Sequence, residues 1–164
     1  MTTSQPSTSG PLQEIQHLVD TAPDATAALD RAMAYLHATR KDYHWVGIYR
    51  LVGDVLELGP YRGPTTDHAR IPVGRGVCGT AVAENRNQVV GDVRALSNYL
   101  ACNLETRSEM VILIRHPETS AILGQIDIDG TQLNQFSSEE EQFISEVAAT
   151  LARPLMTLSH THQA

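Results

Sequence analysis

The residues best able to do chemistry in this chain are two cysteines and a pair of aspartates. Cys78 lies in IPVGRGVCGTA and Cys102 in YLACN, 24 positions later, and Asp127 and Asp129 follow in GQIDID. A thiolate is a strong nucleophile, and neighbouring carboxyl groups can supply protons or bind an ammonium group. An internal cysteine is more often a small buried apolar residue, so the pattern leaves a reactive and a structural role open for each thiol.

The two aspartates are expected to act together. They are two positions apart in a strand-like segment, so their side chains point to the same face. Repulsion between them would raise an apparent pKa and keep a proton available near neutral pH. Ile126 and Ile128 then form the buried face, while the acids either line a pocket or face solvent.

Helices are predicted at both ends of the chain. Apolar residues recur at helical spacing from Leu12 to Val19, and again after Asp24, which is a plausible N-cap, as far as Leu36. A capping box at Ser137 to Glu140 opens a last helix, and Pro154 is expected to kink or fray its end.

The middle of the chain is rich in predicted strands. Tyr43, Trp45, Gly47 and Tyr49 alternate with other residues and share one predicted strand face. The predicted strands are 43–51, 55–58, 70–73, 88–90, 109–114 and 122–129, with a short helix at 77–84 and a loop at 91–101. Short links imply antiparallel pairing, so the chain is expected to be an α+β domain.

Size and charge narrow the function classes. The 164 residues predict one domain, and the formal net charge of -7 argues against nucleic-acid and anionic-membrane partners. No apolar run approaches the roughly 20 residues of a membrane span, and the start lacks a secretory signal, so a cytoplasmic protein is expected. Residues 1–11 are expected to be a disordered tail, 12–158 the domain, and 159–164 a frayed end.

Several segments together resemble one known family. They are WVGIY, LGPYRG, IPVGRGVCGTAV, LACN, SEMVILI and GQIDID followed by FSSEEEQFI, and they span about residues 24 to 153. They resemble a GAF domain and, more narrowly, the free methionine-(R)-sulfoxide reductases. This resemblance implies a GAF-like, PAS-related domain with a six-stranded, mainly antiparallel sheet, helices packed on one face and a ligand pocket on the other.

The resemblance also implies roles for the reactive residues. Cys102 matches the thiol that attacks the sulfoxide sulfur, releases methionine and becomes a sulfenic acid. Glu109, Asp127 and Asp129 match acids that bind the substrate ammonium group and polarise the S–O group, with no matching basic side chain. Glu109 is otherwise an exposed residue at a strand end.

Two aromatic residues match the family's substrate contacts. Trp45 and Tyr49 correspond to the aromatics that close over the substrate methyl group, although an ordinary core stripe gives the same pattern. Cys78 is a candidate resolving or accessory thiol at the start of a short helix, where the helix dipole favours a thiolate. It is equally a tight-packing residue between Gly76 and Gly79.

One departure from the family affects turnover. At His68 the family has a third cysteine that resolves the sulfenic acid, and an aspartate after the catalytic cysteine is Asn103 here. The chain recycles through Cys78, or an external thiol reduces the sulfenic acid directly, or turnover is lost and a pocket remains. Direct reduction is the expected route, with thioredoxin or a similar dithiol as the implied reductant.

The resulting expectation is a thiol-dependent reductase of free methionine-(R)-sulfoxide that needs no cofactor. The seven histidines show no metal-ligand spacing, so no metal site is expected. The alternative is a catalytically silent GAF sensor that binds a small ligand. An apolar stripe at Phe143, Val147 and Leu151 serves either the core or a homodimer interface.

Overall fold

The computed structural model describes residues 9–100 and 104–161. Four α-helices, six strands and one 3₁₀ turn follow in chain order. They are α1 (Ser9–Asp20), α2 (Ala25–Thr39), β1 (Trp45–Val52), β2 (Val55–Arg62), β3 (Arg70–Pro72), α3 (Gly76–Glu84), β4 (Gln88–Val90), the 3₁₀ turn (Val93–Ala95), β5 (Ser108–Arg115), β6 (Ile122–Gly130) and α4 (Ser138–Thr161).

The six strands form one antiparallel sheet in the order β3-β2-β1-β6-β5-β4. The predicted hairpins β1–β2 and β5–β6 are present, and β1 pairs with β6 at the centre. This central pairing sets Trp45 opposite Asp129 and Gly47 opposite Asp127, while β5 sets Glu109 opposite Asp129 from the other side. The sheet therefore brings together residues far apart in the sequence.

Each face of the sheet has its own apolar core. The helix-side core packs α1, α2 and α4 against strand residues such as Ile48, Ile126 and Ile128. The second core, here called the pocket-side core, lies under α3 and includes Trp45 and Tyr49. The predicted six-stranded sheet with helices packed on one face is confirmed, and α3 covers the other face.

Side-chain caps fix the starts of two helices. The Ala27 amide donates to Asp24 Oδ1 at 2.8 Å, as the N-cap prediction requires. The Glu140 amide donates to Ser137 Oγ at 3.2 Å at the start of α4. Both predicted caps are therefore present.

The helix ends differ from the sequence expectation. The first helix begins at Ser9, so residues 9–11 are helical rather than part of a disordered tail. The last helix does not fray at Pro154 and continues to Thr161, because Leu151 and Leu155 are buried in the core and hold this turn in place. The loop predicted at 91–101 contains the 3₁₀ turn.

Tyr43 does not share a face with Trp45 and Tyr49. The strand begins only at Trp45, and Tyr43 packs edge-on against Phe136 in the helix-side core, with its hydroxyl donating to Glu140. The prediction of a shared face is therefore wrong for this residue, because period-2 alternation does not extend beyond the first residue of the strand.

The apolar stripe on α4 serves the core. Val147 and Leu151 are fully buried and Phe143 packs against them from the margin. This accounts for the stripe without a second subunit. Within the described part of the chain, no helix is both long and apolar enough to span a membrane.

Candidate active site

Three acids meet on the pocket side of the sheet because of strand alternation and register. Asp127 and Asp129 occupy alternate positions of β6, and Glu109 on β5 is the direct partner of Asp129. Their apolar neighbours Ile126 and Ile128 point to the helix-side core, as predicted. The acids face the pocket-side core instead of solvent.

All three carboxyl groups are buried. Glu109, Asp127 and Asp129 are 5%, 1% and 2% exposed. An ionised carboxylate in such surroundings is costly unless it is paired or hydrogen-bonded. The exposed strand-end alternative for Glu109 and the exposed-face alternative for the aspartates are both wrong.

The pKa values of both aspartates are raised above their ordinary value. Burial raises the pKa of Asp127, while hydrogen bonds from Glu109 and Cys78 oppose this rise. Burial, followed by the charge of Asp127, raises the pKa of Asp129 well above its ordinary value, and a hydrogen bond with Glu109 again opposes the rise. Two carboxyl groups hydrogen-bond to each other only when one of them is protonated, so these contacts and the raised pKa values together favour a proton on the acid group. The prediction that an aspartate pKa is raised is right, although burial contributes more to the rise than repulsion between the two aspartates.

Each aspartate also keeps one oxygen available. Oδ1 of Asp127 and Oδ1 of Asp129 are buried and have no hydrogen-bond partner among the described residues. A buried acceptor in this condition is unfavourable until a donor reaches it. A ligand ammonium or hydroxyl would meet that need.

Cys78 adjoins the same acids from α3. Its Sγ lies 4.0 Å from Glu109 Oε2, and the thiol is 4% exposed. The hydrogen bond to Asp127 fits a thiol that donates. The resolving or accessory role of Cys78 stays a prediction.

The Cys78, Glu109 and Asp127 ligand atoms lie within 4.8 Å of one another. Thiolate and carboxylate groups are types that zinc accepts. The hydrogen bonds among the three groups account for this closeness without an ion. Their separation in sequence explains why motif spacing gave no sign of the cluster.

Aromatic rings form the wall beside the acids. Trp45 is 3% exposed and stacks on Tyr61, with ring centroids 5.3 Å apart, and on Tyr49, with centroids 6.3 Å apart. A Cβ at Gly47 would fall within 2.8 Å of the Trp45 ring. The indole thus lies over Gly47, the strand partner of Asp127.

His68 lies next to this wall. The Tyr49 hydroxyl donates to the His68 backbone carbonyl at 2.8 Å, and the His68 amide donates to Thr66 Oγ1. Tyr49 is fully buried. The position at which the resembling family has its resolving cysteine is therefore joined directly to the aromatic wall.

Cys102 lies outside the described residues, but the chain just before it is placed. Leu100 lines a small cavity together with Arg75, Cys78 and Glu109. Gly76, at φ +63, allows this contact, since a Cβ there would come within 3.1 Å of the Leu100 side chain. The prediction for Cys102 as nucleophile stays a prediction.

Three residues of the site escaped the sequence analysis. Tyr61 was not singled out, although it stacks on Trp45. Gln125 is fully buried two positions before Asp127 on the pocket side, and neither of its amide atoms has a hydrogen-bond partner in the described part of the chain. Extending the alternation of the aspartates back by one step would have found it. Arg75 is a basic residue that lines the small cavity together with Glu109, whereas the sequence analysis expected no basic side chain there.

A larger cavity, of about 170 Å³, lies on the opposite side of the sheet between α2, α4, β1 and β2. It contains the Arg50–Glu57 ion pair and none of the predicted site residues. The candidate active site is therefore the acid group on the pocket side, and not this cavity.

Comparisons with known proteins agree with this geometry. The GAF domain family model matches residues 11–155. The free methionine-R-sulfoxide reductase of Escherichia coli is 39% identical over 134 residues, which cover 82% of this chain and 79% of that protein.

Solved structures of free methionine-R-sulfoxide reductases have the same fold as this chain. A free methionine-R-sulfoxide reductase from Neisseria meningitidis, in complex with its substrate, superposes with a TM-score of 0.83 at 33% identity and covers 92% of this chain and 89% of that one. The reduced form of the Staphylococcus aureus fRMsr gives a TM-score of 0.82 at 31% identity, covering 94% and 99%.

Proposed function

The chain belongs to the GAF-domain family and, within it, to the free methionine-(R)-sulfoxide reductases, and we propose that it reduces free methionine-(R)-sulfoxide by transferring the sulfoxide oxygen to Cys102. The observation that carries this proposal is the buried group of Glu109, Asp127 and Asp129, which retains a proton beside an aromatic wall.

A retained proton is what the chemistry needs. The sulfoxide sulfur becomes electrophilic when its oxygen is protonated or strongly hydrogen-bonded, and a buried carboxyl with a raised pKa can donate near neutral pH. Asp129 has its pKa raised well above the ordinary value. We assign the acid to the Glu109–Asp127–Asp129 group as a whole because its members share their protons.

The proposed oxygen transfer is balanced as follows. The Cys102 thiolate attacks the sulfoxide sulfur and forms an Sγ–S bond while the acid group protonates the oxygen. The hydroxyl then moves from the substrate sulfur to Sγ: the S–O and Sγ–S bonds break, an Sγ–O bond forms, and methionine leaves as a thioether with Cys102 as a sulfenic acid. Two thiols of a reductant then return the cysteine, are oxidised to a disulfide, and release the oxygen as water.

The same site accounts for recognition of the free amino acid. The unpartnered Oδ1 atoms of Asp127 and Asp129 are suited to a buried ammonium group. Trp45 and Tyr49 offer a flat apolar surface to the methyl group. A peptide bond would replace the ammonium by a neutral amide and lose the charge-assisted contacts.

We propose a thioredoxin-like dithiol as the reductant. His68 cannot form a disulfide, so an external thiol must reduce the sulfenic acid directly or Cys78 must resolve it. Cys78 is buried next to Glu109, and burial disfavours a thiolate, which supports direct reduction. Dependence on reduced thiols fits the cytoplasm. A homodimer stays a prediction. The α4 stripe does not support it, since that stripe is buried in the core.

The test uses an equal mixture of the R and S epimers at sulfur of free L-methionine sulfoxide, with dithiothreitol as the reductant. Methionine should accumulate until half of the sulfoxide is consumed, with the S epimer remaining. An N-acetylated peptide containing methionine sulfoxide should give no methionine residue. Equal turnover of that peptide would contradict the proposal, and a protein that binds the sulfoxide without reducing it would be the silent sensor.

A further inference from the structure

The three acids can bind the ammonium group of a free amino acid, but they cannot bind its carboxylate. This inference rests on the proposed function, because it concerns how a free amino acid is held. A free methionine sulfoxide carries a carboxylate next to its ammonium group, and a carboxylate placed near Glu109, Asp127 and Asp129 is repelled unless a cation is close by. The two charged groups share one carbon atom, so that cation must adjoin the acids.

Arg75 meets this condition by position. It precedes α3 and lines the same small cavity as Cys78, Glu109 and Leu100. Among the described residues that line this cavity, it is the one basic residue. Its amide donates to the Pro72 carbonyl and its own carbonyl accepts from the Gly79 amide, so the backbone at Arg75 is held on both sides.

The guanidinium of Arg75 also has no ion-pair partner among the described residues. Its side chain is exposed and makes no ion pair or hydrogen bond with the described residues. Neighbouring arginines differ in this respect, since Arg70 pairs with Glu57 and Arg86 with Glu84. A guanidinium can bind a carboxylate through two parallel hydrogen bonds, and it keeps its charge beside acids.

We propose that Arg75 binds the α-carboxylate of free methionine sulfoxide and thereby sets the preference for a free amino acid at its carboxyl end. The buried acids hold the ammonium group and Arg75 holds the carboxylate. The free amino acid is then recognised at both of its charged groups, by the acids and by Arg75, which lines one small cavity together with Glu109.

The test compares two substrates in four proteins. The substrates are free L-methionine-(R)-sulfoxide and its α-carboxamide, which keeps the ammonium and the sulfoxide but lacks the carboxylate charge. The proteins are the wild type, Arg75→Gln, Arg75→Lys and the control Arg86→Gln, which removes an arginine charge at the far end of α3. Circular dichroism and thermal unfolding show whether each variant is folded.

The wild type and Arg86→Gln should prefer the free acid. Arg75→Gln should lower kcat/KM for the acid by about 10- to 100-fold, mainly through KM, and leave the carboxamide nearly unchanged. Arg75→Lys should recover part of the loss. A folded Arg75→Gln variant that keeps the preference for the acid, or that loses both substrates equally, overturns the inference. A wild type that reduces neither substrate contradicts the proposed function instead.

Discussion

Replacing Gly47 by alanine should displace the indole of Trp45 and slow catalysis. A Cβ at position 47 would lie 2.8 Å from Cζ3 of Trp45 and 2.8 Å from Cβ of Tyr61, and closer still to Cη2 of Trp45. Ordinary contacts begin at 3.4 Å. The indole has to move by about 1 Å to restore normal contacts, and the Tyr61 Cβ, which is tied to the backbone of β2, requires an additional small shift between β1 and β2.

The expected cost has two parts. Overpacking of this kind typically destabilises a protein by about 1–3 kcal/mol, and a misplacement of about 1 Å in a substrate-contacting group can lower the rate by roughly 10²-fold. Gly47→Ala should therefore remain folded but lose most of its kcat/KM. Trp45 is the single tryptophan of the chain, so its fluorescence reports the displacement directly.

Gly10→Ala is the matched control, because no heavy atom lies within 4 Å of a Cβ at that position. It should keep wild-type fluorescence and activity. Urea unfolding followed by fluorescence gives the stability of each variant, and steady-state kinetics gives kcat/KM. A Gly47→Ala protein with a shifted indole spectrum and unchanged kcat/KM would refute the role of Trp45 in the site.

Three further predictions concern the acids and recycling. Glu109→Gln and Asp127→Asn should each lower kcat/KM by about 10²-fold or more in folded protein, as steady-state kinetics will show; loss of stability alone would contradict this. The raised pKa of Asp129 means that the folded state binds more protons than the unfolded state above the ordinary aspartate pKa. Stability should therefore fall as pH rises through this range, and urea titrations from about pH 4 to 8 should show a weaker fall for Asp129→Asn. His68→Cys should speed recycling by thioredoxin in a coupled assay; no gain would point to resolution by Cys78.

The sequence predicted the elements that depend on local patterns. Alternation placed Asp127 and Asp129 on one face, and the short turn before Ile122 implied the β5–β6 hairpin. Side-chain oxygens marked the helix starts at Asp24 and Ser137. Each of these signals lies within a few residues of the chain, and each is confirmed.

Features that depend on long-range packing were not predictable from those patterns. The pairing of β1 with β6 puts Gly47 beside Asp127, and the chain at the start of α3 brings Arg75 and Cys78 next to Glu109 on β5. The continuation of α4 beyond Pro154 likewise depends on burial of Leu155. In each case tertiary contacts decide the outcome, and local propensity has no information about them.

A single-turnover experiment without reductant tests most directly the claim that a thiol of this chain takes the oxygen with help from the acids. One equivalent of free L-methionine-(R)-sulfoxide is added to reduced protein, methionine is quantified, and the thiols are counted by mass spectrometry. We predict close to one methionine per chain, with Cys102 oxidised and Cys78 still reduced, and no methionine from Cys102→Ser. Methionine formation by Cys102→Ser, with oxidation of Cys78, would contradict the account.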